Sequence, residues 1–120
     1  MIERIHPPGA PAPRGPYSPA VRAGDFIFVS GQVAPGLGDA GYETRQVLTN
    51  LKSILEACGA GLADVVKCTV FLADGQDFAA MNGVYAQFFG EAKPARSTVV
   101  TGFAIPNIKV EIDAIAYKPR

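Results

Sequence analysis

Apolar positions recur along this chain in two different periods, and the alternation between the periods predicts the elements. Val47, Leu48, Leu51, Ile54, Leu55 and Cys58 fall on one face of a helix over Tyr42–Cys58, while Glu43, Arg45, Lys52 and Glu56 avoid that face. Gly59 sits where a helix C-cap belongs. A second helix is expected over Phe78–Phe89, with Asp77 as N-cap and Phe78, Met81, Tyr85 and Phe88 along one stripe. Gly83 inside that helix costs about 1 kcal/mol against alanine, which points to a close packing approach there.

The other segments read as strands. Met1–His6 is a short strand. A stretch rich in proline and glycine follows, from Pro7 to Pro16, and it suits neither helix nor central strand. Ser18–Ala23 and Phe26–Gly31 form a hairpin around Gly24-Asp25, and the run Phe26-Ile27-Phe28-Val29 suggests a strand covered on both faces. Val33–Gly41 is a glycine-rich loop. Val65–Leu72 is the next strand, with Val66, Cys68, Val70 and Leu72 on one face and Lys67, Thr69 and Phe71 on the other. After Pro94, Ser97–Phe103 and Lys109–Tyr117 read as a second hairpin-like pair, turning at Pro106-Asn107. In the last strand Val110, Ile112, Ala114 and Ala116 share one face.

This order predicts an α+β fold in one domain over residues 1–120, with two helices on one face of a mixed sheet. Two helices cover one face only, yet several strands are apolar on both. The uncovered face therefore calls for a partner, and identical chains commonly supply it.

Composition narrows the function classes. Apolar residues make up 48% of the chain, a globular composition, and 11 Lys and Arg balance 11 Asp and Glu. Zero net charge gives no overall footprint for nucleic acid or an anionic membrane. Cys58 and Cys68 have no metal-ligand spacing and read as free thiols of a reducing compartment. With no leader-like segment after Met1 and no apolar run of membrane-spanning length, the expected location is the cytoplasm.

Two motifs are set aside. Gly36-Leu37-Gly38-Asp39-Ala40-Gly41 matches G-x-G-x-x-G, but its first glycine lies several residues beyond the strand and the chain is short for a doubly wound nucleotide domain. His6, the sole histidine, cannot by itself build a metal site, a Ser-His pair or a two-histidine ribonuclease mechanism. Pro94-Ala95-Arg96-Ser97-Thr98 remains. An arginine at a strand mouth after a rigid turn has the geometry to hold a carboxylate through two parallel hydrogen bonds, and it also fits an ordinary surface position.

A series of segments spread along the chain weighs on that choice. Gly15-Pro16-Tyr17-Ser18-Pro19-Ala20, Val29-Ser30-Gly31-Gln32, Thr44-Arg45-Gln46 with Asn50-Leu51, Val65-Val66-Lys67, Asp77-Phe78 with Asn82 and Tyr85, Pro94 to Thr98, and Val110 to Ala116 occur in this order. The series closely resembles the Rid family, also called the YjgF family, of reactive-intermediate deaminases, over nearly the whole chain.

The resemblance implies a chorismate-mutase-like α+β fold and a homotrimer with sites in clefts between subunits. It implies hydrolysis of 2-aminoacrylate-type enamines and their imine tautomers to 2-keto acids and ammonia, with no cofactor and no metal. It assigns Arg96 to the substrate carboxylate, Glu111 to the attacking water, and Tyr17 to the cleft lining. Ser30, Gly31 and Thr98 border the site through their backbone, and Asn82 matches a recurrent asparagine. Family members often carry cysteine where this chain has Thr98. The segment between Gln32 and Thr44 is shorter than in typical relatives, which bears on substrate range and trimer packing. Alternative readings are a non-catalytic or chaperone-like trimer that binds 2-keto acids, a pathway-specific relative acting on another imine, and an endoribonuclease. Zero net charge and the lone histidine argue against the last.

Overall fold

The computed structural model describes residues 1–10, 12–36 and 38–120. Pro11 of the proline-rich stretch and Leu37 of the G-x-G-x-x-G segment lie outside the described residues. Six strands form one sheet: β1 (Ile2–Ile5), β2 (Ala20–Ala23), β3 (Phe26–Val33), β4 (Val65–Leu72), β5 (Ala95–Val100) and β6 (Val110–Tyr117). Helix α1 (Ala40–Ala57) lies between β3 and β4, and α2 (Phe78–Phe89) between β4 and β5. The α+β architecture expected from the apolar periods is the one observed.

Spatial order in the sheet is β1-β2-β3-β6-β4-β5. All neighbours are antiparallel except β4 and β5. A parallel pair needs a crossover, and α2 supplies it. This corrects the expected second hairpin. The strand that begins at Ala95 pairs with β4 and not with β6. β6, apolar on its buried face, instead fills the sheet centre between β3 and β4.

Helix α1 starts two residues earlier than its apolar stripe suggests, because the Asp39 side chain accepts a hydrogen bond from the Tyr42 N–H at 2.9 Å. It ends at Ala57 with Cys58 as C-cap, and Gly59 follows with φ +80°, a left-handed conformation that glycine adopts without strain. Val47, Leu48, Leu51 and Leu55 are fully buried, as are Ile27, Val70 and Ile112 of the sheet. Each such side chain contributes about 1.5–3 kcal/mol on burial. Arg22 of β2 is also buried; its guanidinium donates to the Lys118 carbonyl at 2.8 Å and, at 3.4 Å, to the Cys58 carbonyl at the negative end of α1.

Three side-chain placements differ from expectation. Glu43 lies inside, fully buried, because its carboxylate accepts the Lys109 backbone N–H at 2.9 Å and so ties α1 to the entry of β6. Val66 is exposed: one extra residue at this point of β4 shifts its register against β6, and Val65 takes the inward position. Gly83 has open space where a Cβ would stand, so packing does not require it. At α2 the inward residues are Met81, Tyr85 and Phe89, and Phe78 stays exposed. The Asp77 side chain makes no cap; Asp74 instead accepts from the Gln76 N–H in the short turn before the helix.

Both helices cover one face of the sheet. The other face carries Phe26, Phe28, Val99 and Tyr117, all exposed. Among the described residues no helix is long and apolar enough to cross a membrane.

Candidate active site

The residues singled out from the sequence gather in two places, on opposite faces of the sheet. Arg96 pairs in register with Cys68, which is buried beneath the helices, so its side chain leaves β5 on the helix-covered face. There Nη1 donates to Asn82 Oδ1 at 2.7 Å and lies 4.0 Å from Met81 Sδ. The guanidinium carbon lies 4.8 Å from the Tyr85 ring centroid and 5.7 Å from that of Phe78. Phe78, Asn82 and Tyr85 are spaced to share one face of α2. That face clamps the guanidinium with one hydrogen bond and two aromatic rings.

Arg96 has no carboxylate partner among the described residues. Arg96 lines a cavity of about 260 Å³ between α2 and the turn that follows. Thr98 is on the same face, and its hydroxyl is buried with no hydrogen-bond partner among the described residues. Below them, burial pushes the Cys68 thiol up to about 11, so it stays protonated at neutral pH.

The second group surrounds Glu111. Glu111 pairs with Phe71, which alternates with the inward Val70 and Leu72, so its carboxylate leaves β6 on the face without helices. It borders a cleft of about 820 Å³ that wraps around the free end of β3, past the point where β2 stops pairing. Tyr17, Ser30 and Gly31 line the same cleft, as do Arg14 of the N-terminal arm, Asn50 of α1, and Phe103 and Ile105 of the β5–β6 loop.

Local structure explains this grouping. β3 carries one extra residue between Val29 and Gln32. This bulge is held by Ser30, whose N–H donates to the Pro19 carbonyl at 3.0 Å and whose hydroxyl donates to the Ser18 carbonyl at 2.6 Å. Those bonds also fix the chain next to Tyr17. The Glu111 carboxylate lies directly over Gly31: a Cβ on residue 31 would stand 2.2 Å from Glu111 Oε2. Only glycine leaves that space. Burial holds the Glu111 carboxyl above its ordinary 4.5, and the Asp113 carboxylate adds to the effect. Arg96, on the other face of the sheet, does not counter this shift within one chain.

Arg96 therefore comes together with Asn82 and Thr98, and Glu111 with Tyr17, Ser30 and Gly31. The two groups do not meet within one chain. Phe78 and Tyr85 as a clamp for Arg96 were not assigned from the sequence, although their helical spacing from Asn82 was visible. Arg14 and Phe103 carried no sequence signal for the cleft, and Asn50 stood in a family segment without a role, because each reaches the cleft from a separate segment.

The arrangement offers a rigidly held guanidinium with no carboxylate partner among the described residues, and a half-buried carboxylate in a roomy cleft. These suit fixing an anion and handling a proton. Comparison with known proteins is consistent along the whole chain. The family model described as Endoribonuclease L-PSP matches residues 8–118. A RutC family protein of Pyrococcus horikoshii is 50% identical, covering 98% of this chain and 99% of its own. A Dermatophagoides farinae protein named 2-iminobutanoate/2-iminopropanoate deaminase is 41% identical, covering 92% of each chain. Among solved structures, one from Thermotoga maritima superposes with a TM-score of 0.92 at 42% identity, covering 100% of both chains. That of Escherichia coli TdcF with bound serine gives 0.88 at 37% identity, covering 97% of this chain and 98% of that one.

Proposed function

The chain belongs to the Endoribonuclease L-PSP family, the YjgF/Rid family that its motifs resemble, and we propose that within it this protein hydrolyses small 2-imino acids and their enamine tautomers to 2-keto acids and ammonia. The observation that carries the reading is the split site: an unpaired, clamped Arg96 on one face and a half-buried Glu111 over Gly31 on the other. A second copy joins the two. The exposed aromatic and aliphatic residues on the helix-free face supply the apolar surface for that contact, and a homotrimer with clefts between subunits satisfies it. The relative named for 2-iminobutanoate and 2-iminopropanoate supports the substrate class.

The chemistry asks little of the protein. The imine carbon is already electrophilic. Arg96 holds the substrate carboxylate in a two-bond fork and so fixes the carbon relative to a water molecule. As the water oxygen bonds to carbon, the C=N π electrons move to nitrogen and Glu111 takes a proton from the water. The raised pKa of Glu111 brings its basicity closer to neutral, which suits both taking that proton and returning it to nitrogen. The hydroxyl proton of the tetrahedral intermediate then passes to nitrogen by way of Glu111, the C=O bond forms, and the C–N bond breaks to release ammonia. Tyr17 lines the cleft beside this proton path.

A coupled assay tests the reading. A serine dehydratase generates 2-aminoacrylate, and lactate dehydrogenase reports pyruvate. Addition of the protein should speed pyruvate release, and Arg96→Ala should lower that effect about 10- to 100-fold, the worth of hydrogen bonds to a charged group. Unchanged release would sink the proposal. Binding of 2-ketobutyrate in calorimetry with no turnover would favour the second reading, a small-acid binding protein, which the serine-bound relative supports.

A further inference from the structure

Lys93 occupies a backbone conformation that its sequence disfavours. Its φ is +39° and ψ +63°, in the left-handed region, and it is not glycine. It also precedes Pro94, and a residue before proline is pushed toward extended backbone. Such a conformation costs on the order of 1–3 kcal/mol and persists only where the surroundings enforce it. Its consequence is spatial: Lys93 is brought to the cavity of about 260 Å³ that Arg96 also lines.

Two cationic residues, Lys93 and Arg96, line that cavity, and among the described residues no acidic residue does. Its other lining residues are Asn82, Tyr85, Ala86, Phe89 and Gly90. Neither Lys93 nor Arg96 has an ion-pair partner among the described residues. Two like charges at the border of one cavity repel each other, and an anion between them removes that cost. The Arg96 fork is filled by a single carboxylate. Lys93, a point charge on a flexible stem, is then left for a second anionic group.

We propose that this cavity selects dicarboxylic substrates: Arg96 takes the carboxylate next to the imine carbon, and Lys93 takes the distal carboxylate. This rests on the reading of Arg96 as the carboxylate ligand given above. Tyr85, Ala86 and Phe89 offer an apolar wall for the methylenes between the two acid groups.

The test compares two imines made in place by an amino-acid oxidase, one from aspartate or glutamate and one from a monocarboxylic amino acid. The readout is the ratio of their kcat/KM values. Wild-type protein should favour the dicarboxylic imine. Lys93→Met should lower the ratio about fivefold, the range of a solvent-accessible ion pair, and Lys93→Arg should retain it. Lys93→Gly, which suits positive φ, should keep the melting temperature and still lose the ratio. In parallel, calorimetry compares 2-oxoglutarate with 2-oxobutyrate. A ratio unmoved by Lys93→Met in an enzyme that still turns over the monocarboxylic imine overturns this inference and leaves the deaminase reading standing. Lys93-dependent preference for 2-oxoglutarate without turnover of either imine overturns the deaminase reading and supports this site. Equal, Lys93-independent binding of both keto acids overturns the site.

Discussion

Arg96 and Glu111 leave the same sheet on opposite faces, Arg96 among the side chains of α2 and Glu111 over the backbone of Gly31. Strand alternation makes this separation permanent, since no rotamer passes through a hydrogen-bonded sheet. If both act on one substrate molecule, they come from different copies.

Subunit mixing checks this directly. Arg96→Ala and Glu111→Gln should each be nearly inactive alone. Mixed by co-refolding, they should regain roughly one quarter of wild-type activity, because in a head-to-tail ring a random site receives the intact Arg96 and the intact Glu111 with that frequency. Mixtures no more active than the parents would show that each chain works alone.

Gly31→Ala separates geometry from stability. The new Cβ would meet the far end of the Glu111 side chain, which has freedom to swing away, so the fold should tolerate the change. The carboxylate, however, is displaced from the bulge. Turnover should fall by about 10-fold or more, with a melting temperature close to wild type. A large drop in melting temperature, or full activity, would contradict this account.

The pH dependence follows from Glu111. Its folded pKa is raised above the unfolded value, first by burial and then by Asp113. Folding therefore takes up a proton in the window between the two values. The stability this gives is fully present below the unfolded pKa and is lost as pH rises through the folded one. At neutral pH the ionised carboxylate opposes folding. Glu111→Gln should thus raise the melting temperature near neutral pH, with the gain vanishing near pH 4, about the ordinary carboxylate value, while abolishing turnover. The wild-type rate should climb with pH on a limb centred above the ordinary 4.5 of glutamate.

Glu43 offers a purely structural test. It is fully buried, and its Oε1 is the acceptor for the Lys109 N–H. Glu43→Ala would leave that N–H unpaired beside a new cavity, a loss of about 2–4 kcal/mol, or roughly 10 °C in melting temperature. Glu43→Gln keeps the acceptor and should retain most of the stability. Thermal scans of the two variants distinguish them.

The elements themselves were legible in the sequence, because they depend on local periodicity. The stripe from Val47 to Cys58 and the alternation from Val110 to Ala116 each need only their own neighbours to be read. Local patterns say nothing of who pairs with whom. The placement of β6 between β3 and β4, and the parallel pairing of β5, came from the demand that the most apolar strand sit in the middle of the sheet. Bulges were hidden for the same reason: the extra residue at Val66 has meaning only against β6. Glu43 looked like a surface residue until the Lys109 N–H, sixty-six positions away in sequence, gave its carboxylate a partner inside.

The same division holds at Arg96. Residue type, the preceding Pro94 and the family motifs were enough to single it out as an anion grip. That Asn82, Tyr85 and Phe78 hold it, that a strained Lys93 shares its cavity, and that Glu111 faces away from it were decided by the tertiary structure. Chemistry is carried by residue types, which a sequence spells out; which groups share a cavity depends on strand register and on the face each side chain leaves from, which only the folded chain fixes.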